Sequence, residues 1–213
     1  MQPGWDFVAA SAVFVSVGGW LAARAVAALA HRTISVSAAV VACAVLAAWS
    51  YHVVFGTTAF LLSLCLAWGL LVLAIVDWLD FRLPDLLTLP LVAAGLVAAV
   101  LLPSEHITEH AAAAALGYGL LWIIAWSYQR LRGREGLGLG DAKLAAVAGA
   151  WLGFEPLPSV LLLASVTGIL WIAITAIMRG PAELSKRIPF GVPLSLAIWI
   201  VWLYGPFAFA GLS

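Results

Sequence analysis

The chain has 213 residues, 65% of them hydrophobic and 9% charged, with ten basic and ten acidic residues and no net formal charge. A soluble domain carries about 25% charged residues, so this composition excludes a cytosolic enzyme, a nucleic-acid binder and a secreted disulfide scaffold, and implies an integral membrane protein. A spanning helix takes about 20 apolar residues; about eight of them fill the chain and leave the chemistry to residues in or beside the spans.

Apolar runs lie at about 7–29, 35–54, 58–78, 85–103, 109–128, 142–154, 157–178 and 191–211. Backbone left open cannot face lipid, and the alternation of a barrel is absent, so the runs read as helices of an all-α polytopic protein. The first run follows Met1–Phe7, which has no basic segment, and reads as a retained span rather than a cleaved signal. Cys43 and Cys65 lie in the second and third runs without metal spacing and read as small core residues. No internal repeat is evident.

All ten basic residues fall on alternate connections: Arg24 and Arg32 after the first run, Arg82 after the third, Arg130, Arg132, Arg134 and Lys143 around the fifth connection, and Arg179, Lys186 and Arg187 after the seventh. The opposite side holds only acids: Asp6, Glu105, Glu109 and Glu155. The positive-inside rule then places both termini outside the cytoplasm. Six acids share the basic side: Asp77, Asp80, Asp85, Glu135, Asp141 and Glu183.

Two of these six are unusual. Asp77 ends the third run at membrane depth, and Asp141 opens the sixth after Gly136-Leu137-Gly138-Leu139-Gly140. Ionisable groups at such depth are costly and usually functional; the competing reading is an acid reaching the interface or pairing with an Arg. Between them, Leu83-Pro84-Asp85 reads as a helix start: Pro84 suits the first turn and Asp85 complements the helix N-terminus. Asp80 reads as a solvated turn residue. Gly138 and Gly140 permit close backbone approach beside Asp141. Two aspartates that meet share one proton, so one serves as general base on a water while the other protonates the carbonyl or leaving amine. That is aspartic-protease chemistry, with no metal and no cofactor.

Three stretches together resemble the bacterial type IV prepilin leader peptidases, membrane aspartyl proteases of the Gly-x-Gly-Asp type. They are Asp77 through Leu83-Pro84-Asp85-Leu86-Leu87-Thr88-Leu89-Pro90, Gly133 through Gly138-Leu139-Gly140-Asp141-Ala142-Lys143 to Gly153, and Arg187-Ile188-Pro189-Phe190-Gly191. The similarity runs over about residues 58–205; Val192 departs from the proline usual in the family. The resemblance implies that Asp77 and Asp141 are the catalytic pair. It also implies cleavage at the cytoplasmic face of the bacterial inner membrane, with prepilins or type II secretion pseudopilins as substrates. Gly138, Gly140, Lys143, Pro84 and Asp85 are expected to support the site. Pro189, Phe190 and Gly191 are expected to face substrate, and Asp80, Asp85 and Glu135 to attract a basic leader.

Many family members carry a large loop after the first span, with two Cys-x-x-Cys pairs linked to methylation of the new N-terminus. Here that connection is short and has no cysteine. The chain therefore reads as a short form: residues 1–57 as two N-terminal helices, residues 58–213 as a six-helix peptidase domain, and methylation weak or absent. The partners expected are the pilin-like substrate and the bilayer, with no nucleic acid. His106-Ile107-Thr108-Glu109-His110 has inverted zinc-protease spacing but no evident third ligand, and reads as a turn and helix start. His31 and His52 are assigned no function, and the tryptophans near run ends read as an interfacial belt. A proton-coupled transporter and a silent assembly factor for a pilus or secretion system are the competing classes.

Overall fold

The computed structural model describes residues 11–54, 57–102, 106–133, 138–180 and 188–206. Among them all regular structure is helical. The helices are α1 (Ser11–Leu29), α2 (Val36–Val53), α3 (Thr57–Asp80), α4 (Asp85–Leu101), α5 (Ile107–Arg132), α6 (Leu139–Leu152), α7 (Leu157–Arg179) and α8 (Gly191–Tyr204). Residues 14–18 of α1 form a π-helical turn.

Five helices, α1, α2, α3, α5 and α7, are long and apolar enough to cross a membrane. The three others fall short of that length: α4 has 17 residues, and α6 and α8 have 14 each, about 21 Å at 1.5 Å per residue against about 30 Å of hydrocarbon. α6 differs from the long helices in being enclosed by protein along most of its length.

The main core joins α3, α4, α5, α6, α7 and α8. Small residues bring α5 and α6 together: the α carbon of Gly117 lies against the Ala145 carbonyl, and that of Gly149 against the Ala113 backbone. Such small-residue contacts replace the hydrophobic drive that lipid cannot supply. On the other side of α6 the Trp151 indole lies in the notch left by Gly95 of α4 and donates to the Leu91 carbonyl at 2.8 Å. A smaller core sets Ala22, Ala23 and Val26 of α1 and Ala39 of α2 against Val72 and Val76 of α3.

Two charged groups sit differently from the sequence expectation. Arg24 is inside α1 rather than beyond it, exposed, with its guanidinium 5.6 Å from the Trp20 ring centre. A long basic side chain can leave an apolar helix face and keep its charge in a polar zone. Asp80 is the last residue of α3 rather than a solvated turn residue; it is partly covered and lies 3.8 Å from Arg32.

Candidate active site

The site is assembled from four helix ends. α3 delivers Asp77 one turn before its last residue, and Phe81 then turns the chain with φ 55°, its N–H bonded to the Asp77 carbonyl at 2.9 Å. A left-handed bulky residue is uncommon and costs backbone energy. Here it reverses the chain so that Leu83 returns into the core beside Asp77. Pro84, extended at ψ 135°, caps α4, and its carbonyl receives the N–H groups of Leu87 and Thr88 and the Thr88 hydroxyl.

The N-terminus of α8 meets the Asp77 carboxylate. A Cβ on Gly191 would lie 2.7 Å from Asp77 Oδ2 and 3.2 Å from Leu83 Cδ1, so a side chain at 191 has no room. The backbone N–H groups of Gly191 and Val192 are directed at the carboxylate, which places the positive end of a helix dipole on an acid. Val192 supplies a donor that the usual proline could not, and Pro193 follows one position later.

α6 brings Asp141 into the same place from its first turn, with the Gly138 N–H against its carboxylate. Asp77 is 5% exposed and Asp141 8%, and the two are close enough for the charge of one to act on the other. Asp77 Oδ2 is buried with no hydrogen-bond partner among the described residues. Buried polar atoms are rarely left unmet, and a functional site is one reason that they are.

Leu83 separates the supporting backbones. A Cβ on Gly140 would lie 2.9 Å from Leu83 Cβ, so Leu83 packs between Gly140 of α6 and Gly191 of α8. Leu83 belongs to the Leu83-Pro84-Asp85 motif, but its place as a spacer depends on the distant Gly140 and Gly191 and has no local signal. Lys143 Nζ pairs with Asp85 Oδ1, tying the start of α6 to the start of α4. Two of the three acids expected to attract a basic leader are thus each beside a cation already, Asp80 with Arg32 and Asp85 with Lys143. Pro189 and Phe190 are half-buried at the start of α8, and Phe190 lies against Gly168 of α7. Glu135 lies outside the described residues.

At the far end of α6 the His106–His110 segment starts α5. His110 is buried, with Nδ1 3.0 Å from the Ala150 carbonyl oxygen. No group of three or more His, Cys, Asp or Glu among the described residues is placed to hold a metal.

Comparison with known proteins gives a consistent picture. The model of the type IV leader peptidase family matches residues 64–173. A prepilin leader peptidase/N-methyltransferase of Aeromonas hydrophila is 42% identical over 145 residues, covering 68% of this chain and 50% of that protein. One from Pseudomonas aeruginosa is 38% identical over 158 residues, 74% and 53% of the two chains. One from Dichelobacter nodosus is 34% identical over 179 residues, 84% and 60% of the two chains. The chain spans about half the length of the first two relatives. No solved structure matches.

Proposed function

The chain belongs to the type IV leader peptidase family, and from that premise we propose that it is a membrane-embedded aspartyl endopeptidase. Its substrates are prepilins or type II secretion pseudopilins, cut between a basic leader and an apolar helix at the cytoplasmic face of the inner membrane. The observation that carries this is the meeting of two buried aspartates, Asp77 and Asp141, from two helix ends, near enough to interact.

The chemistry follows from the pair. Two facing carboxylates hold one proton between them. The ionised one takes a proton from water as the water attacks the scissile carbonyl, and the other donates its proton to the carbonyl oxygen. The gem-diol then collapses; the C–N bond breaks and the amine leaves with a proton returned from the pair. Backbone N–H groups meet both carboxyls, those of Gly191 and Val192 at Asp77 and that of Gly138 at Asp141, so either aspartate can begin as the base with the other as the acid. Residues 58–213 form the peptidase part, with Leu83, Gly138, Gly140 and Gly191 setting the separation of the carboxylates and Lys143 with Asp85 holding α6 on α4.

The connection between α1 and α2 is short and has no cysteine, so methylation of the new N-terminus is expected to be weak or absent. The test is cleavage of a prepilin-type substrate in membranes by the unaltered protein, Asp77→Asn and Asp141→Asn, read by intact mass. The unaltered protein is expected to release the leader, and each variant to lose at least about 10³-fold in rate, the scale of removing a catalytic acid or base. The same spectrum reports any added methyl group. Cleavage by neither the unaltered protein nor a variant, with substrates of more than one pilin class, overturns the assignment and favours an assembly factor or a transporter.

A further inference from the structure

Next to the aspartates lies a pair of tryptophans that the chemistry above does not use. Trp78 follows Asp77 directly, and Trp171 lies on α7, one turn beyond Gly168. Their rings meet edge to face, with centres 5.5 Å apart and planes at 86°. Each is about half exposed, 50% and 49%. Buried tryptophans elsewhere are held by packing, as Trp151 is by Gly95. Trp122 and Trp126 are also exposed and stacked, but both lie on α5; Trp78 and Trp171 instead join two helices, immediately beside an otherwise buried acid.

The surroundings explain why that side matters. α1 and α2 cover one face of α3 through Val72 and Val76, and Gly191 of α8 closes directly on Asp77. α7 packs on α8 but leaves most of its apolar length exposed. At the level of the aspartates, α7 reaches α3 through the Trp171–Trp78 contact, and Phe190 lines the same edge by lying against Gly168. The rings therefore span the gap between α3 and α7 on the lipid side of Asp77.

We propose that Trp78 and Trp171 form the docking surface for the first apolar turn of the substrate helix, which approaches Asp77 from the bilayer between α3 and α7. This rests on the peptidase assignment. The occupant follows from the chemistry of such a substrate: its scissile bond joins a basic leader to an apolar helix, and that helix stays in lipid. A chain held in this way reaches the aspartates from the lipid side, and Trp78, adjoining Asp77 in sequence, meets the residues just after the cleaved bond. Two aromatic faces offer a large apolar contact at little cost in side-chain ordering. They part without opening the core, because neither ring is enclosed. Trp78 and Trp171 are thus positioning residues for the substrate, with no part in the proton transfers.

The test compares two substrates on the purified protein in phospholipid vesicles. One is a prepilin-type chain with its apolar helix; the other is a water-soluble peptide with the same leader junction that stops before the helix. Trp171→Ala is expected to raise KM for the helix-bearing substrate about tenfold with kcat nearly kept, a loss of one aromatic anchor. The ratio of kcat/KM between the two substrates should fall by about the same factor. Trp171→Phe should restore most of it, and Trp122→Ala, an exposed tryptophan on α5, should leave the ratio unchanged. Trp171→Leu decides the matter if the alanine variant does not fold. Equal losses on both substrates, or no change in the ratio, overturn the docking surface while leaving the peptidase assignment standing. If the unaltered protein cuts neither substrate, both fall together.

Discussion

α6 and α7 are neighbours in sequence, both apolar, and embedded in opposite ways. α6 buries nine of its 14 residues, most of them Ala and Gly with Leu144, Val147 and Trp151. α7 is 23 residues long and presents Leu162, Ile169, Leu170, Trp171, Ile174 and Ile177 outward. The difference is one of residue size rather than of hydrophobicity. Small side chains let α4 and α5 close on α6 from two sides, and large ones on α7 meet lipid. On the proposed peptidase reading, a catalytic carboxylate would gain from the first arrangement, because a helix fixed by backbone contact along its length holds Asp141 in place, and a substrate from the second, because a helix with little buried surface leaves a path beside it.

The sharpest way to break this contrast is one substitution made on each helix. Gly149→Ala places a Cβ inside contact distance of the Ala113 backbone on α5, which has no side chain that can move aside. Gly168→Ala meets Pro193 and Phe190 at 3.8 and 3.9 Å, ordinary contact. Thermal melts in detergent are expected to show a loss of about 3 kcal/mol for Gly149→Ala, the upper part of the overpacking range. Gly168→Ala should stay within about 0.5 kcal/mol of the unaltered protein. Equal shifts would mean that α6 is no more tightly held than α7.

A second comparison sharpens the functional side. Gly140→Ala drives a Cβ to 2.9 Å from Leu83 Cβ and moves the start of α6, with Asp141, away from Asp77. A displacement of about 1 Å at a reacting group costs about 10²-fold. Cleavage should therefore fall by roughly that factor while the protein still folds. Ile169→Ala, at a position 64% exposed on α7, should change the rate less than about twofold, the scale of a surface substitution. A folded Gly140→Ala with normal cleavage would show that the aspartates tolerate a looser approach.

Much of this is legible in the sequence. The two aspartates stood out because an acid at membrane depth is rare, and the glycines beside Asp141 marked a close approach. What composition could not separate was burial by protein from burial by lipid. The run at 142–154 reads as a short span, and the structure adds that its 14-residue helix is enclosed by protein. The clue was its Ala and Gly content, which hydropathy does not weigh. The roles of Leu83 and Gly191 were hidden for another reason. Both depend on contacts between segments far apart in the chain: Leu83 meets Gly140 and Gly191, and Gly191 meets Asp77. No local pattern reports such a distance. Arg24, grouped by its charge with the connection after the first run, lies inside α1, which ends at Leu29 where the apolar run ends.

The smallest effect expected is at the ion pair of Lys143 and Asp85, and it tests what holds the active end of α6. The carboxylate is 57% exposed and the ammonium 28%, so screening by solvent keeps its contribution to stability below about 1 kcal/mol. Its effect on rate should be larger than its effect on stability, because Lys143 is two residues from Asp141. Asp85→Asn and Lys143→Met are each expected to slow cleavage about threefold to tenfold, the range of a coupling of about 1 kcal/mol. If the pair acts only by tying α6 to α4, the double variant is no slower than either single one, and the melts change little. If the two losses multiply, Lys143 acts on Asp141 or on the substrate directly, and α6 is held by its glycine contacts alone.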